Sequence, residues 1–246
     1  MHISNISNMV AKIIVIMSPK GGVGKTTISV NLATALSELG KKTLLIDANL
    51  ETPHVAVYYG FVGFKYSFED LLEGKAKIED VIYKGENENF HLLPARVLKD
   101  SNKVINKLVN INSYIKEVNE RYDFIIIDSK PSYNIDFIKL INAANSLIIS
   151  NLEITSIIEA KKLKEKLDEF NINVIGLILN KFNYHITEQI TENEAADITN
   201  IKNVWKVRED NIVYRSLKYG VPVIISAPKS WISKDIVKIA KDLIKL

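Results

Sequence analysis

The decapeptide SPKGGVGKTT, Ser18 to Thr27, stands between an apolar run, IIVIM at Ile13–Met17, and a stretch with helical spacing from Lys25 to Leu39. Its placement matters more than its letters. Gly21, Gly22 and Gly24 let the backbone curl so that successive N–H groups face an anion, and the helix beginning near Lys25 adds the positive end of its dipole. Lys25 is spaced to reach the β- and γ-phosphates of a nucleotide, and the Thr26 hydroxyl to ligate Mg²⁺. The competing reading is a glycine-rich strand-to-helix turn that holds no ligand. GKTT at such a junction has few uses besides phosphate binding.

Working outward, short apolar runs alternate with longer helical stretches. The runs are Ile13–Met17, Thr43–Asp47, Phe90–Leu93, Phe124–Asp128, Ser146–Ser150, Val174–Leu179 and Val223–Ile225. Several, such as IIVIM and FIIID, are continuous rather than alternating, as strands buried on both faces of a parallel sheet require. Between them the spacing predicts helices over Lys25–Leu39, Asn102–Glu120, Ile135–Ala144, Ser156–Phe170, Glu188–Asn200 and Ser233–Ile244. This alternation predicts an α/β fold, a doubly wound, mostly parallel sheet flanked by helices with right-handed crossovers. No linker or repeat divides the chain. Residues 11–246 are expected to form a single P-loop NTPase domain behind a short disordered tail, residues 1–10.

Composition narrows the chemistry. The chain has 246 residues, a net charge of +3 and no cysteine, so it has no disulfide, no thiolate nucleophile and no Cys-ligated zinc or iron–sulfur cluster. No apolar run reaches the roughly 18 residues of a membrane-spanning helix, and MHISNISNMV lacks the basic start of a secretory signal. A cytoplasmic location is therefore expected. His2, His54, His91 and His185 are scattered without helical pairing, which argues against a histidine metal site.

The loop departs from the generic pattern in having Pro19 at the first glycine position and a second lysine, Lys20, at its start. In this it resembles the ParA/MinD family of deviant Walker A ATPases, whose signature is a lysine before two glycines. The resemblance runs from about Lys12 to Leu243. LLIDANLETPHVAVYYG (Leu44–Gly60) is similar to the family's second strand and first switch, and YDFIIIDSKPS (Tyr122–Ser132) to its Walker B segment. NLEITSIIEA (Asn151–Ala160), VREDNIVYRSLKYGVPV (Val207–Val223) and the final APKSWISKDIVKIA complete it, with Leu152 and Arg208 at positions where the family carries proline.

The resemblance implies roles residue by residue. Lys20, Gly21, Gly22, Val23, Gly24, Lys25, Thr26 and Thr27 would bind the phosphates of ATP, with Lys20 reaching across a two-fold axis to a partner subunit's nucleotide. A lysine suits that task as a mobile point charge on a long stem. Asp47 and Asp128 each end a hydrophobic strand, at the sheet edge where the loop opens. With Thr26 they are expected to hold Mg²⁺ and its waters. Asn180 would hydrogen-bond the adenine, and the Val207–Asp210 loop, with Val207 and Arg208, would cover it. Asn49 stands where the family's Asp-x-Asp motif has its second Asp, as in some archaeal MinD-like sequences with an Asp-Ala-Asn-Leu-x-Thr-Pro string. An Asn orients water but accepts no proton, so slow hydrolysis and a long-lived ATP state are expected.

The family reading makes the chain a slow, Mg-dependent ATP hydrolase. It would dimerise on ATP and serve spatial positioning or partitioning, with an unidentified activator or cargo protein. The alternative from a different class is a hydrolysis-impaired nucleotide-binding scaffold. Lys234, Lys238, Lys241 and Lys245 share one face of the last helix opposite Ile236, Ile239, Ala240 and Leu243, and Lys161, Lys162, Lys164 and Lys166 form a second basic cluster. Either is read first as a solvated face. Weak nonspecific DNA binding or a protein partner is favoured over membrane binding, since no amphipathic membrane-targeting tail is evident. The absence of cysteine excludes the superfamily's iron–sulfur carriers and nitrogenase-type iron proteins. The absence of a C-terminal tyrosine cluster argues against its tyrosine kinases.

Overall fold

Aliphatic runs with no polar alternation cannot leave either face in water, and the strands they form lie in the middle of the molecule. The computed structural model describes residues 10–85, 87–96, 106–130, 138 and 144–246. Within these, eight strands form one sheet: β1 (Lys12–Met17), β2 (Thr43–Asp47), β3 (Tyr83–Lys84), β4 (Phe90–Leu93), β5 (Phe124–Asp128), β6 (Asn145–Ser150), β7 (Asn173–Phe182) and β8 (Val204–Arg208). Their order is β3-β4-β2-β5-β1-β6-β7-β8, parallel throughout except where β3 pairs antiparallel with β4. β1 lies between β5 and β6, so the phosphate loop leaves the centre of the sheet.

Alternate residues of β1 face opposite layers. Ile13, Val15 and Met17 join one apolar cluster, and Ile14 and Ile16 join the other. Among the described residues, the helices of at least eight residues are α1 (Lys25–Glu38), α2 (Ile111–Val118), α3 (Ile154–Glu169), α4 (Glu192–Thr199), α5 (Ile212–Tyr219) and α6 (Trp231–Lys245). α6 starts at Ser230, whose hydroxyl accepts the Ser233 N–H at 3.3 Å. Its Ile236, Ile239, Ala240 and Leu243 are buried against the layer that contains α1. Lys12 ties this helix to the first strand, its Nζ donating to the Leu243 carbonyl at 3.0 Å.

Some sequence expectations need correction. Val223–Ile225 is not a strand but part of a helical turn, Val223–Ser226, entered through Pro222. The run is apolar because Val223 and Ile224 are buried beside α1, where the Ile224 N–H donates to Asn31 Oδ1 at 3.2 Å. β8 was missed because VWKVR alternates buried and half-buried positions, as an outer strand does. The helix expected over Asn102–Glu120 is represented by a 3-10 turn (Asn106–Asn110) and α2, with the remainder of its first half outside the described residues. The helix expected over Ile135–Ala144 falls, apart from Ile138 and Ala144, outside the described residues, as does the tail except Val10. α4 starts four residues later than Glu188 because Thr191 and Glu194 form a capping box, the Thr191 N–H donating to Glu194 Oε2 at 2.8 Å.

The outer pair of strands is locked by one close approach. A Cβ at Gly176 in β7 would lie 2.2 Å from Cζ3 of Trp205 in β8, and the Trp205 indole N–H is held by Asp242 Oδ2 of α6 at 3.0 Å. The ring has nowhere to go. Gly176→Ala is expected to destabilise the fold by about 1–3 kcal/mol through overpacking, measured as a lowered midpoint of chemical denaturation.

Candidate functional site

The loop after β1 takes its shape from backbone that only glycine adopts cheaply. Gly22 and Gly24 have φ of 77° and 91°. Gly24 is also constrained by space, since a Cβ there would meet Asn180 Nδ2 at 2.2 Å. The Asn180 side chain, at the end of β7, donates to the Val23 carbonyl at 2.7 Å and so braces the loop. Ser18 is fully buried and donates to the Lys20 carbonyl at 2.8 Å. The start of α1 therefore points its free N–H groups into the space the loop encloses.

Two carboxylates stand at that mouth. Asp47 and Asp128 are register partners on β2 and β5, both essentially inaccessible to solvent. Asp128 accepts the Thr26 hydroxyl at 2.7 Å and the Ser29 hydroxyl at 2.8 Å. Asp47 accepts main-chain N–H groups from Val55 at 3.0 Å and Asn49 at 3.2 Å. Burial pushes the Asp47 carboxyl well above the usual carboxylate range and Asp128 adds repulsion, while the Val55 and Asn49 N–H groups oppose the shift. Burial also raises Asp128, opposed by Lys25 and by its two hydroxyl donors. Lys25 is itself buried, which lowers its ammonium against the pull of Asp128 and Asp47. Two acids face one buried base, a site short of positive charge.

Asn49 is buried with both ends of its amide engaged by Thr52. Its Nδ2 donates to the Thr52 carbonyl at 2.8 Å and hydroxyl at 3.0 Å, and its Oδ1 accepts the Thr52 N–H at 3.3 Å. Lys20 pairs with Glu159 of α3 at 3.2 Å, with its side chain still 46% exposed. The loops after β2 and β5 are joined by an ion pair of Lys130 with Glu51 at 2.6 Å.

A cleft of about 410 Å³ opens beside these groups, with Lys25, Thr26 and Asn49 in its lining; Asp47 and Asp128 are not in it, Asp128 meeting it through Thr26. Of the residues expected to bind nucleotide, Lys20, Gly22, Gly24, Lys25, Thr26, Thr27, Asn180 and Arg208 line it. Val23 and Val207 instead pack into the apolar cluster around α1, with Val207 fully buried. Sequence reasoning missed the wall opposite the loop, where Tyr58, Val213, Tyr214 and Leu217 supply apolar surface. It also missed Lys181. Between Asn180 and Phe182 the pairing with β8 slips, Lys181 takes φ 63°, and its Nζ turns back to the Gly22 carbonyl at 2.9 Å. An Asn-Lys pair carries no sequence signal for such a bulge.

Residues 11–176 match the AAA domain family model. The chain is 32% identical over 237 residues to an uncharacterised ATP-binding protein of Methanocaldococcus jannaschii, covering 96% of this chain and 89% of that one. The solved septum site-determining protein MinD of Pyrococcus horikoshii, complexed with Mg-ADP, superposes with a TM-score of 0.87 at 28% identity, covering 96% of each chain. MinD in the MinC:MinD cell division protein complex of Aquifex aeolicus superposes at 0.83 with 28% identity, covering 96% of this chain and 97% of that one. A central loop turned by glycines, a buried lysine and paired aspartates at one sheet edge agree with these matches: the chain belongs to the AAA domain family and is a P-loop ATPase of the ParA/MinD type.

Proposed function

We propose that this chain binds Mg–ATP in the cleft, pairs with a second copy around two nucleotides, and hydrolyses ATP slowly as a switch in positioning or partitioning. The observation that carries the reading is the convergence of the Gly22–Gly24 turn, buried Lys25 and the Asp47–Asp128 pair on one mouth. The donor set suits Mg²⁺: the Thr26 hydroxyl already touches an Asp128 oxygen, and hard oxygen ligands are what that ion takes. Thr26, Asp47 and Asp128 would hold it directly or through water. Bound there, Mg²⁺ would neutralise charge on the β- and γ-phosphates. The N–H groups of the loop and the start of α1 bind and orient the phosphates, Lys25 adds positive charge, and Asn180 with the residues after β8 receives the base. Lys20 leaves Glu159 and extends to the partner's phosphates.

A location in the cytoplasm, an activator or cargo protein and weak DNA binding belong to the same proposal. Among the described residues no helix is long and apolar enough to cross a membrane. The four lysines of α6 are exposed, whereas Lys164 and Lys161 of α3 are paired with Asp168 and Glu165 on their own helix. The α6 face is therefore the better candidate for an acidic partner.

A second reading, ATP held by a scaffold without turnover, is favoured by Asn49. Its amide takes no proton and is already engaged by Thr52. Single-turnover hydrolysis separates the two. Asn49→Asp is expected to raise that rate about tenfold or more by supplying a base. An unchanged or lower rate with intact nucleotide binding would overturn the assignment of Asn49.

Light scattering tests the switch. A non-hydrolysable ATP analogue should double the apparent mass and ADP should not, whereas Lys20→Ala should stay monomeric and still bind nucleotide. A wild-type chain that binds the analogue but remains monomeric refutes the proposal.

The raised carboxyls also predict a pH dependence. Because the Asp47 and Asp128 protons leave at higher pH than in the unfolded chain, the nucleotide-free fold gains stability as pH falls through that window. Mg²⁺ needs both groups charged, so its contribution to ADP-induced thermal stabilisation should shrink from about pH 7.5 to about pH 5.5. Equal shifts at both values would count against these ligands.

A further inference from the structure

We infer that Arg208 is a positioning residue for base recognition, clamping the segment that follows β8 onto helix α6. This rests on the nucleotide reading given above and deepens it. Asp235 of α6 is the fixed point of the clamp. Its carboxylate accepts Arg208 Nε at 2.7 Å, pairs with Nη2, and accepts the Arg208 main-chain N–H at 3.1 Å. One carboxylate therefore holds both the side chain and the backbone of the same residue. The other guanidinium groups are also engaged: Nη1 donates to the Tyr184 hydroxyl at 3.1 Å, and Nη2 reaches the Trp231 carbonyl at 3.4 Å. The Trp231 ring lies 4.4 Å from the guanidinium carbon.

These contacts have a rigid base. α6 is anchored by its buried aliphatic face, and the Arg208 and Asp235 side chains are only 16% and 15% exposed. A planar, multiply bonded guanidinium in such a setting is far better defined than an ordinary surface ion pair. Arg208, Glu209 and Asp210 together line the cleft at the end nearest Asn180, and the Glu209 N–H is fixed by the Phe182 carbonyl at 2.9 Å. With all three guanidinium nitrogens engaged and the ring of Trp231 beside it, Arg208 acts through the backbone it fixes rather than by touching the base. The clamp sets the shape of the base end before a ligand arrives, which reduces the ordering that binding would otherwise require.

Titration calorimetry with two probes tests this, Mg–ADP and inorganic tripolyphosphate, which has no base. Arg208→Ala and Asp235→Asn are expected to weaken Mg–ADP about tenfold or more and to leave tripolyphosphate within about twofold of wild type. Arg208→Lys should recover only part of the loss, because an ammonium cannot form the fork. It also keeps the test valid if the alanine variant fails to fold. Unchanged Mg–ADP affinity in these variants, or an equal loss for both probes, overturns the clamp. A wild-type chain that binds neither probe overturns the nucleotide reading as well, and so the two failures are told apart.

Discussion

The molecule is organised around buried charge at the end of a parallel sheet. Asp47 and Asp128 sit side by side with almost no solvent contact, and Lys25 is the buried cation that faces them. Carboxylates are tolerated there only because each is met by donors: hydroxyls of Thr26 and Ser29 for one, main-chain N–H groups for the other. Those donors come from α1 and from the loop after β2, so the charge holds the surrounding chain in place as much as the chain holds the charge. A cation entering beside them would relieve repulsion that the fold otherwise carries.

The two walls of the cleft are built differently. On the loop side, positions are set by backbone geometry and a few short hydrogen bonds, with Asn180 as the brace. On the other side, the wall is a strand end, a short helix and the last helix, with the strand end joined to the last helix by the Arg208–Asp235 pair and the Trp231 ring. Lys206 pairs with Glu192 at 2.6 Å and lies 4.6 Å from the Phe182 ring, beside the Arg208 cluster. The first wall tolerates little change in residue type. The second depends on side-chain chemistry, because the Arg208–Asp235 contacts hold the backbone path there.

Much of this was legible in the sequence. The central strands announce themselves as aliphatic runs because they are covered on both faces, and the phosphate loop is written in glycines whose need for positive φ has few alternatives. Where a strand is half covered, as at VWKVR, or where an apolar run is short and follows a proline, as at Val223–Ile225, the local pattern does not decide between strand and turn. Site residues followed the same division. Lys25, Thr26, Asp47 and Asp128 are fixed by their offsets from strand ends, so the sequence brings them together on paper as the fold does in space. Lys181 depends on a bulge, Glu159 on the approach of α3 to the phosphate loop, and Asp235 on the packing of α6 against β8. No linear spacing encodes those contacts.

The outer strands carry a further consequence. At one margin β3 is only two residues long and runs against its neighbour, and at the other β8 carries Lys206 and Arg208, paired with Glu192 of α4 and Asp235 of α6. Unpaired main-chain groups at such margins are too few, or too closely flanked by charge, to template an added strand. Growth of the sheet from molecule to molecule, the usual route to fibres, is blocked at both ends. At the rim where the phosphate loop emerges, the pairing of two copies proposed above would close on itself instead of propagating.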